Sequence, residues 1–431
     1  MDSFNKLITI LDKDNLFLTG GAGVGKSFMT KQISKYYMAQ KKSVILLGST
    51  GISAVNIGGQ TLHSFFLFGI SSNFEELKKR DRYNRSKIKE LNKILKSLDL
   101  LIIDEISMVS SNLFDMVLYR LRESGFRGKL MVVGDFYQLS PVIKDKTNSL
   151  INSLYAFESS SWDYFDFVTV ELTKIKRTDD LHFMKILGSI RKGLIDTQIL
   201  DFLDSLRTNN LPDTNRTTLF GTNVQADRLN DAKLNETQGK NEIKKAIITK
   251  KDNSLDDRVI KGWASKLPIL EELKLKEGVP IIFTTNRWGF YHNGEKGVVE
   301  HIDDDVILVQ KGERLVKVER FTFELTRNVV DSKGEIGEEI ICTLEQFPIR
   351  LGYAITIHKS QGMSIEDLVC NVDNIFTESQ FYVALSRAVD PKRLKIEYTK
   401  DSFKEYLKRV IKINPKVDQF YSAIKKKIFL E

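Results

Sequence analysis

The sequence predicts an α/β protein with two parallel-sheet segments and a small β-rich region set into the second. Three observations carry that prediction. Up to about Val170, short apolar runs alternate with helical stretches, as strands and helices do in a parallel-sheet domain. A second pattern of the same kind begins near Glu171. From Val279 to Cys342 the runs become short and alternating, punctuated by Asn293-Gly294, Lys311-Gly312 and Lys333-Gly334, dipeptides suited to tight turns.

Taken in order, the strand candidates of the first segment are Leu16–Thr19, Val44–Gly48, Leu100–Ile103, Leu130–Val133 and Val168–Leu172, with a helix over Phe28–Met38. Phe74–Leu98 is densely charged, carrying Lys78-Lys79-Arg80, Arg82, Arg85, Lys87 and Lys89, while Leu91, Leu95 and Leu98 recur at helical spacing. In the second segment Thr217–Gly221 reads as a strand, and a polar, lysine-rich stretch from about Leu229 to Lys276 then interrupts the pattern. The short runs of 279–342 read most economically as a small inserted barrel. Strand signals resume at Ala354–His358 and Leu368–Val372, followed by a helix around Gln380–Arg387. Lys425-Lys426-Lys427 reads as a solvated helix end.

The 431 residues leave room for two to four domains, and 42% hydrophobic with 28% charged residues is ordinary for a globular protein. A formal net charge of +8 and a pI near 9.1 lean toward a polyanionic partner. Cys342 and Cys370 stand alone, which suits a reducing cytoplasm, and the scattered histidines offer no metal-ligand pattern. Neither a bilayer-spanning run nor a signal or transit peptide is apparent, so the expectation is a cytoplasmic protein without a membrane partner.

Chemistry enters at Gly20-Gly21-Ala22-Gly23-Val24-Gly25-Lys26-Ser27, which fits G-x-x-x-x-G-K-S/T between a strand and a helix. Glycines let backbone N–H groups curl around a polyphosphate, and the helix that follows points its positive end at the same charge. Lys26 can reach the β- and γ-phosphates and the Ser27 hydroxyl can ligate Mg²⁺, so a nucleoside triphosphate with Mg²⁺ is the expected ligand. Leu100-Leu101-Ile102-Ile103-Asp104-Glu105 is an apolar strand ending in two carboxylates. Asp104 can hold Mg²⁺ through water, and Glu105 can orient and deprotonate the attacking water. After the next strand, Gln138 within Gly134-Asp135-Phe136-Tyr137-Gln138-Leu139-Ser140-Pro141 is placed to sense the γ-phosphate.

With these pieces in place, the chain resembles a superfamily-one DNA helicase of the PIF type (petite integration frequency helicases), whose close relatives are the RecD-type enzymes. The resemblance runs over nearly the whole chain. Thr50-Gly51-Ile52-Ser53-Ala54, with Gly58 and Thr61-Leu62-His63-Ser64-Phe65, is similar to the family's DNA-contacting motif. Asp104-Glu105-Ile106-Ser107-Met108 and Gly134 to Val142 match the next two, and Leu172-Thr173-Lys174-Ile175-Lys176-Arg177 resembles the fourth, with Thr178 where relatives carry Gln. Ala354-Ile355-Thr356-Ile357-His358-Lys359-Ser360-Gln361-Gly362 and Gln380-Phe381-Tyr382-Val383-Ala384-Leu385-Ser386-Arg387-Ala388 look like the last two.

The resemblance implies two RecA-like cores sandwiching ATP, the first spanning 1–170 with a charged wedge insertion at 66–98, the second 171–228 plus 351–431. Residues 229–350 would be an inserted region with an SH3-like β subdomain. It implies that Lys26, Asp104, Glu105, Gln138, Arg177 and Arg387 are the catalytic residues, the two arginines placing charge beside the γ-phosphate. It implies DNA contacts from Thr50, Gly51, His63 and Phe65 on the first core and Thr356, His358, Lys359 and Gln361 on the second, with a core role as the alternative reading of Phe65. The charged insertion reads either as a solvated helix or as a DNA-facing wedge. The implied activity is 5′-to-3′ translocation on single-stranded DNA with unwinding of forked or tailed duplex, or of G-quadruplex, by an enzyme monomeric on DNA and nucleoid-associated if bacterial.

Two departures stand out. Only Arg122 and Gly128 match the extra signature expected over Phe114–Gly128, which blurs the PIF and RecD types. No glutamine precedes the phosphate loop, the first being Gln32, so the usual adenine reader is missing; Asn5 carries the same amide on a shorter stem.

Overall fold

The computed structural model divides into two units. Met1–Lys176, Thr326–Ile340 and Pro415–Glu431 form the first, and Arg177–Leu325 with Ile341–Asn414 form the second. The structure describes residues 3–69, 71, 73–141, 154–208, 216–287, 289–330, 336–375 and 377–431.

A seven-stranded sheet organises the first unit, in the order Lys427–Leu430, Val168–Leu172, Leu16–Gly20, Lys129–Val133, Leu100–Asp104, Val44–Gly48, Gln60–Thr61. Every pairing in it is parallel. Leu16–Gly20 and Leu100–Asp104 are buried along their whole length, which explains why the sequence shows continuous apolar runs there rather than alternation. The helix Lys26–Ala39 buries Met29, Ile33 and Tyr37, one face at four-residue spacing, against a core that includes Leu18, Ile102 and Val133. Burial of each such side chain is worth about 1.5–3 kcal/mol.

The charged insertion folds as two helices, Phe74–Tyr83 and Arg85–Ser97, which bury Leu77, Leu91, Ile94 and Leu95. Asn73 Oδ1 caps the first by accepting from the Glu76 N–H. Arg120, 1% exposed on the helix Ser111–Ser124, donates two parallel bonds of 2.7 Å to Asp81 and a third to the Phe66 carbonyl. Removing one partner of so buried a pair costs about 3–5 kcal/mol, so Arg120 fixes the insertion to its unit.

In the second unit, a parallel sheet runs Ala354–Thr356, Thr217–Phe220, Leu368–Asn371, Leu394–Glu397, Arg207–Thr208. A five-stranded antiparallel sheet follows the order Arg314–Glu319, Val306–Lys311, Lys296–Ile302, Pro280–Phe283, Ile349–Leu351. Its core holds Ile281, Phe283, Val299, Val309, Val318 and Phe347. Lys311-Gly312 makes the expected turn, with Gly312 at φ 57°; Lys333-Gly334 lies outside the described residues, as does Val142.

Several expected boundaries move. The first unit runs through Lys176 rather than ending at 170, because Val168–Leu172 pairs with Leu16–Gly20 and the Lys176 N–H bonds to the Gly23 carbonyl at 2.8 Å. The second core stops at Asn414 instead of 431. Lys427, expected at a solvated helix end, begins an edge strand paired with Val168–Leu172, its ammonium 2.8 Å from Glu171. Thr326–Ile340, expected inside the inserted region, belongs to the first unit, where Gln60 Nε2 donates to Thr326 and Asn328 at 2.9 and 2.8 Å. The polar stretch 229–276 is also more ordered than its composition predicts, holding the strand pair Glu242–Lys245 and Glu272–Leu275 and the helix Asp257–Ala264.

Candidate functional site

Parallel pairing puts the C-terminal ends of the first unit's strands on one edge of its sheet, where α/β proteins bind ligands. The phosphate loop follows Leu16–Gly20, the carboxylates end Leu100–Asp104, and Gln138 follows Lys129–Val133, the strand lying between those two. Neighbouring strands are about 4.8 Å apart, so the three groups leave the sheet within about 10 Å of one another.

Left-handed backbone shapes the loop. Gly23 and Gly25 have φ of 78° and 91°, and Gly25 is the residue just before the helix. A Cβ at Gly20 would come within 2.4 Å of the Leu172 carbonyl. Val24 is buried in the core and anchors the loop, while Gly21, Ala22 and Lys26 are partly exposed and Ser27 is exposed. The Lys26 ammonium donates to the carbonyls of Gly20 and Gly21 at 2.8 and 3.0 Å. No acidic residue occupies the first turn of Lys26–Ala39, which leaves the positive helix end free for an anion.

Asp104 is 5% exposed and accepts the Glu105 N–H at 2.9 Å. Burial, and then the Glu105 charge, push its carboxyl well above the ordinary carboxylate range, against the pull of Lys26 and Lys31. Glu105 sits at φ 55°, an uncommon conformation for a side-chain-bearing residue, which turns it away from the strand direction. Gln138 is 4% exposed, its backbone N–H on the Asp135 carbonyl at 2.8 Å and its amide 3.4 Å from the Asp135 carboxylate. Asp135, missed in the sequence, thus shapes the glutamine loop; an Asp directly after a strand-end glycine was the available signal. The hydroxyl of Ser27 and the carboxylate of Asp104 are hard oxygen donors, and an Asp104 destabilised by burial is the group a divalent cation would relieve, so this set fits Mg²⁺. Among the described residues no cluster of His, Cys, Asp and Glu forms a separate metal site.

In the second unit the structure brings Arg177 and Arg387 together. Arg177 donates to Ser364 Oγ at 2.9 Å and to the Ser386 carbonyl at 2.5 Å; Arg387, 1% exposed, donates to the Val383 carbonyl at 2.9 Å and to Ser386 Oγ at 2.8 Å. Desolvation, followed by the Arg387 charge, pushes Arg177 down to about 9, which still leaves it cationic at pH 7.

The expected DNA contacts are placed unevenly. Thr50 caps the helix Gly51–Ile57, its Oγ1 accepting from the Ser53 N–H at 3.1 Å. His63 is partly exposed, edge-on to Phe68. Phe65 is 5% exposed and packs edge-on against Phe66 at 5.0 Å, which favours the core reading of its ring. In the second unit Thr356 and Gln361 are buried, whereas His358 and Lys359 remain partly exposed. Burial holds both of their pKa values below the ordinary ones. Arg80, in the charged run, packs onto Gly69 and donates to the Leu67 carbonyl at 3.3 Å.

The family model for PIF1-like helicases matches residues 3–198. An ATP-dependent DNA helicase Pif1 of Campylobacter jejuni is 44% identical, with 99% of this chain and 98% of that protein aligned. The chain belongs to the PIF1-like helicase family. A Pif1 helicase of Bdellovibrio bacteriovorus is 34% identical over 95% of this chain and 88% of its own. The crystal structure of Bacteroides sp Pif1 in complex with ADP-AlF4 superposes with a TM-score of 0.82 at 28% identity, covering 98% of this chain and 96% of that one. As a PIF1-like helicase the chain is an ATP-dependent DNA helicase. Among the described residues no helix is long and apolar enough to cross a membrane.

Proposed function

We propose that this helicase translocates 5′-to-3′ on single-stranded DNA and unwinds forked or tailed duplex by coupling Mg²⁺-dependent ATP hydrolysis to strand movement. The observation that carries the reading is the convergence of Lys26, Asp104, Glu105 and Gln138 on one sheet edge, with an arginine pair preformed in the second unit. Lys26 exchanges its loop carbonyls for phosphate oxygens, and the backbone of Gly20 to Ser27 surrounds the phosphates. Ser27 and Asp104 would hold the Mg²⁺, which supplies charge neutralisation at the phosphates. Glu105 aligns and deprotonates the attacking water, and Gln138 registers the γ-phosphate. Arg177 and Arg387 stabilise the charge that develops on it.

His63, Thr356, His358, Lys359 and Gln361, with the backbone of Thr50 and Gly51, track the DNA phosphates without reading sequence. Solved relatives support this substrate: Bacteroides Pif1 has been crystallised bound to ssDNA, and Pif1 helicases have been described at forked dsDNA. The antiparallel sheet of 280–351 is read as the SH3-like subdomain and the Phe74–Ser97 helices as the wedge, with Lys78 and Lys79 toward the duplex. The same chemistry suits replication, recombination, repair and G-quadruplex maintenance by a monomer, at the nucleoid if the source is bacterial.

Polarity is the test. A duplex with a 5′ single-stranded tail should be unwound in the presence of Mg-ATP and one with only a 3′ tail should not. Unwinding of the 3′-tailed substrate alone overturns the polarity, and DNA-stimulated hydrolysis with neither duplex opened makes the protein a translocase.

A further inference from the structure

The C-terminal segment delivers a buried tyrosine to the two nucleotide loops. Tyr421, on the helix Pro415–Ala423, is 7% exposed. Its hydroxyl lies 2.8 Å from Thr19 Oγ1 and accepts the Phe136 N–H at 3.2 Å. Thr19 immediately precedes the phosphate loop, and Phe136 lies on the loop that carries Gln138. The two strands pair as far as Leu18 and Val133, and the Gly134 N–H still reaches the Leu18 carbonyl at 3.1 Å. Past that pairing, one phenol oxygen is bonded to the Thr19 side chain at the end of one strand and to the Phe136 N–H on the loop after the other.

Ring contacts fix that oxygen. Tyr421 stacks on Tyr137 with centroids 4.8 Å apart and planes 7° from parallel, and Tyr137 Oη donates to Asp418 at 3.2 Å. Next to it, Phe420 stacks on Phe157 at 4.3 Å and meets Phe136 edge-on at 5.4 Å. Phe136 and Tyr137, the two residues just before Gln138, are therefore both seated on this one helix. A phenol held rigidly from below cannot follow independent movement of either loop.

We propose that Tyr421 is a positioning residue for ATP hydrolysis, holding the Gln138 loop in register with the phosphate loop so that glutamine meets the γ-phosphate. The proposal rests on the role assigned to Gln138. It makes residues 415–431 part of the hydrolytic machinery although they stand far from every nucleotide motif in the sequence.

Tyr421→Phe keeps the stacked ring and deletes only the bridging oxygen. In the full-length enzyme with saturating single-stranded DNA, kcat should fall about tenfold while KM for ATP changes less than about twofold. ADP affinity should hold, and affinity for ADP with aluminium fluoride, which mimics the transferring phosphoryl group, should drop by the same factor as kcat. Thr19→Val should give the same selective loss, and the double variant should be no worse than the worse single one. Unchanged kcat in Tyr421→Phe overturns the proposal. So does parallel loss of ADP affinity, analogue affinity and melting temperature, which would mark general packing. Gln138→Ala is the separate control: full analogue affinity in that variant sinks the Gln138 assignment, independently of what Tyr421 does.

Discussion

In the first unit, the phosphate-loop cation is folded back on its own loop: Lys26 donates to the Gly20 and Gly21 carbonyls. In the second unit, Arg177 and Arg387 are spread over Ser364, Ser386 and Val383, side by side and partly deep in the protein. The lysine's partners are ones that phosphate oxygens can replace at little cost. The arginines donate to backbone carbonyls and serine hydroxyls, which orient a guanidinium. One side is therefore built to yield to its ligand and the other is fixed beforehand. Under the roles proposed above, the contrast is between Lys26 as ground-state grip and Arg177 with Arg387 as transition-state charge, while Glu105 and Gln138 give the first unit its own share in the rate.

The strongest way to break this division is to remove the groups of the first unit. Lys26→Ala should abolish ATP turnover together with much of the nucleotide affinity. Glu105→Gln should retain ATP binding and lose hydrolysis by about 10³-fold, within the range for general-base catalysis. Wild-type turnover in the Glu105 variant, measured by phosphate release, would refute the role given to it. Arg387→Ala, in contrast, should lower kcat by on the order of 10³ while leaving KM for ATP close to normal, as for other arginine fingers. A KM effect larger than the kcat effect would place Arg387 in ground-state binding and erase the contrast between the units.

The nucleotide elements were legible in sequence because each is local. A buried parallel strand gives an apolar run, and the group assigned a role stands at its end or within a few residues of it, as Lys26, Asp104, Glu105 and Gln138 do. The long motifs around His358 and Arg387 were legible for the same reason. What the sequence hid depends on distant pairing. Lys427–Leu430 is too short and too lysine-flanked to announce a strand, and it is one only because Val168–Leu172 offers an open edge. Tyr421 touches Thr19 across some 400 residues, a separation of 402, and no periodicity records that. Phe65 was ambiguous because an aromatic residue beside a histidine suits stacking as well as core, and only the packing against Phe66 favours the core reading.

Base choice sharpens the comparison from the first unit's side. The helix Ser3–Leu11 buries Leu7, Ile8 and Leu11 and leaves Asn5 exposed, its carbonyl accepting from Thr9. If the phosphates are gripped by the loop and adenine is held by stacking and shape, GTP should be hydrolysed within about tenfold of ATP, a gap of roughly 1.4 kcal/mol. A hundredfold preference for ATP in a side-by-side assay would sink the idea, and its disappearance in Asn5→Ala would name Asn5 as the reader.

The smallest effect concerns His358, proposed above as a DNA contact of the second unit. Burial holds the His358 imidazole below its ordinary pKa of 6.5, so it is neutral in the free protein at pH 7. Its depressed value means that the unfolded chain binds the proton first, and stability falls as pH drops below 6.5. A DNA phosphate beside the ring would favour the imidazolium and raise that pKa, so binding takes up a proton. Affinity for single-stranded DNA should accordingly rise as pH falls from about 8 to about 6, by roughly threefold more in the wild type than in His358→Gln, well inside the tenfold per pH unit that one coupled proton allows. Fluorescence anisotropy at constant ionic strength reads this directly. Identical pH slopes in the two proteins would take His358 off the DNA path and leave the partly exposed Lys359 as the phosphate contact of that motif.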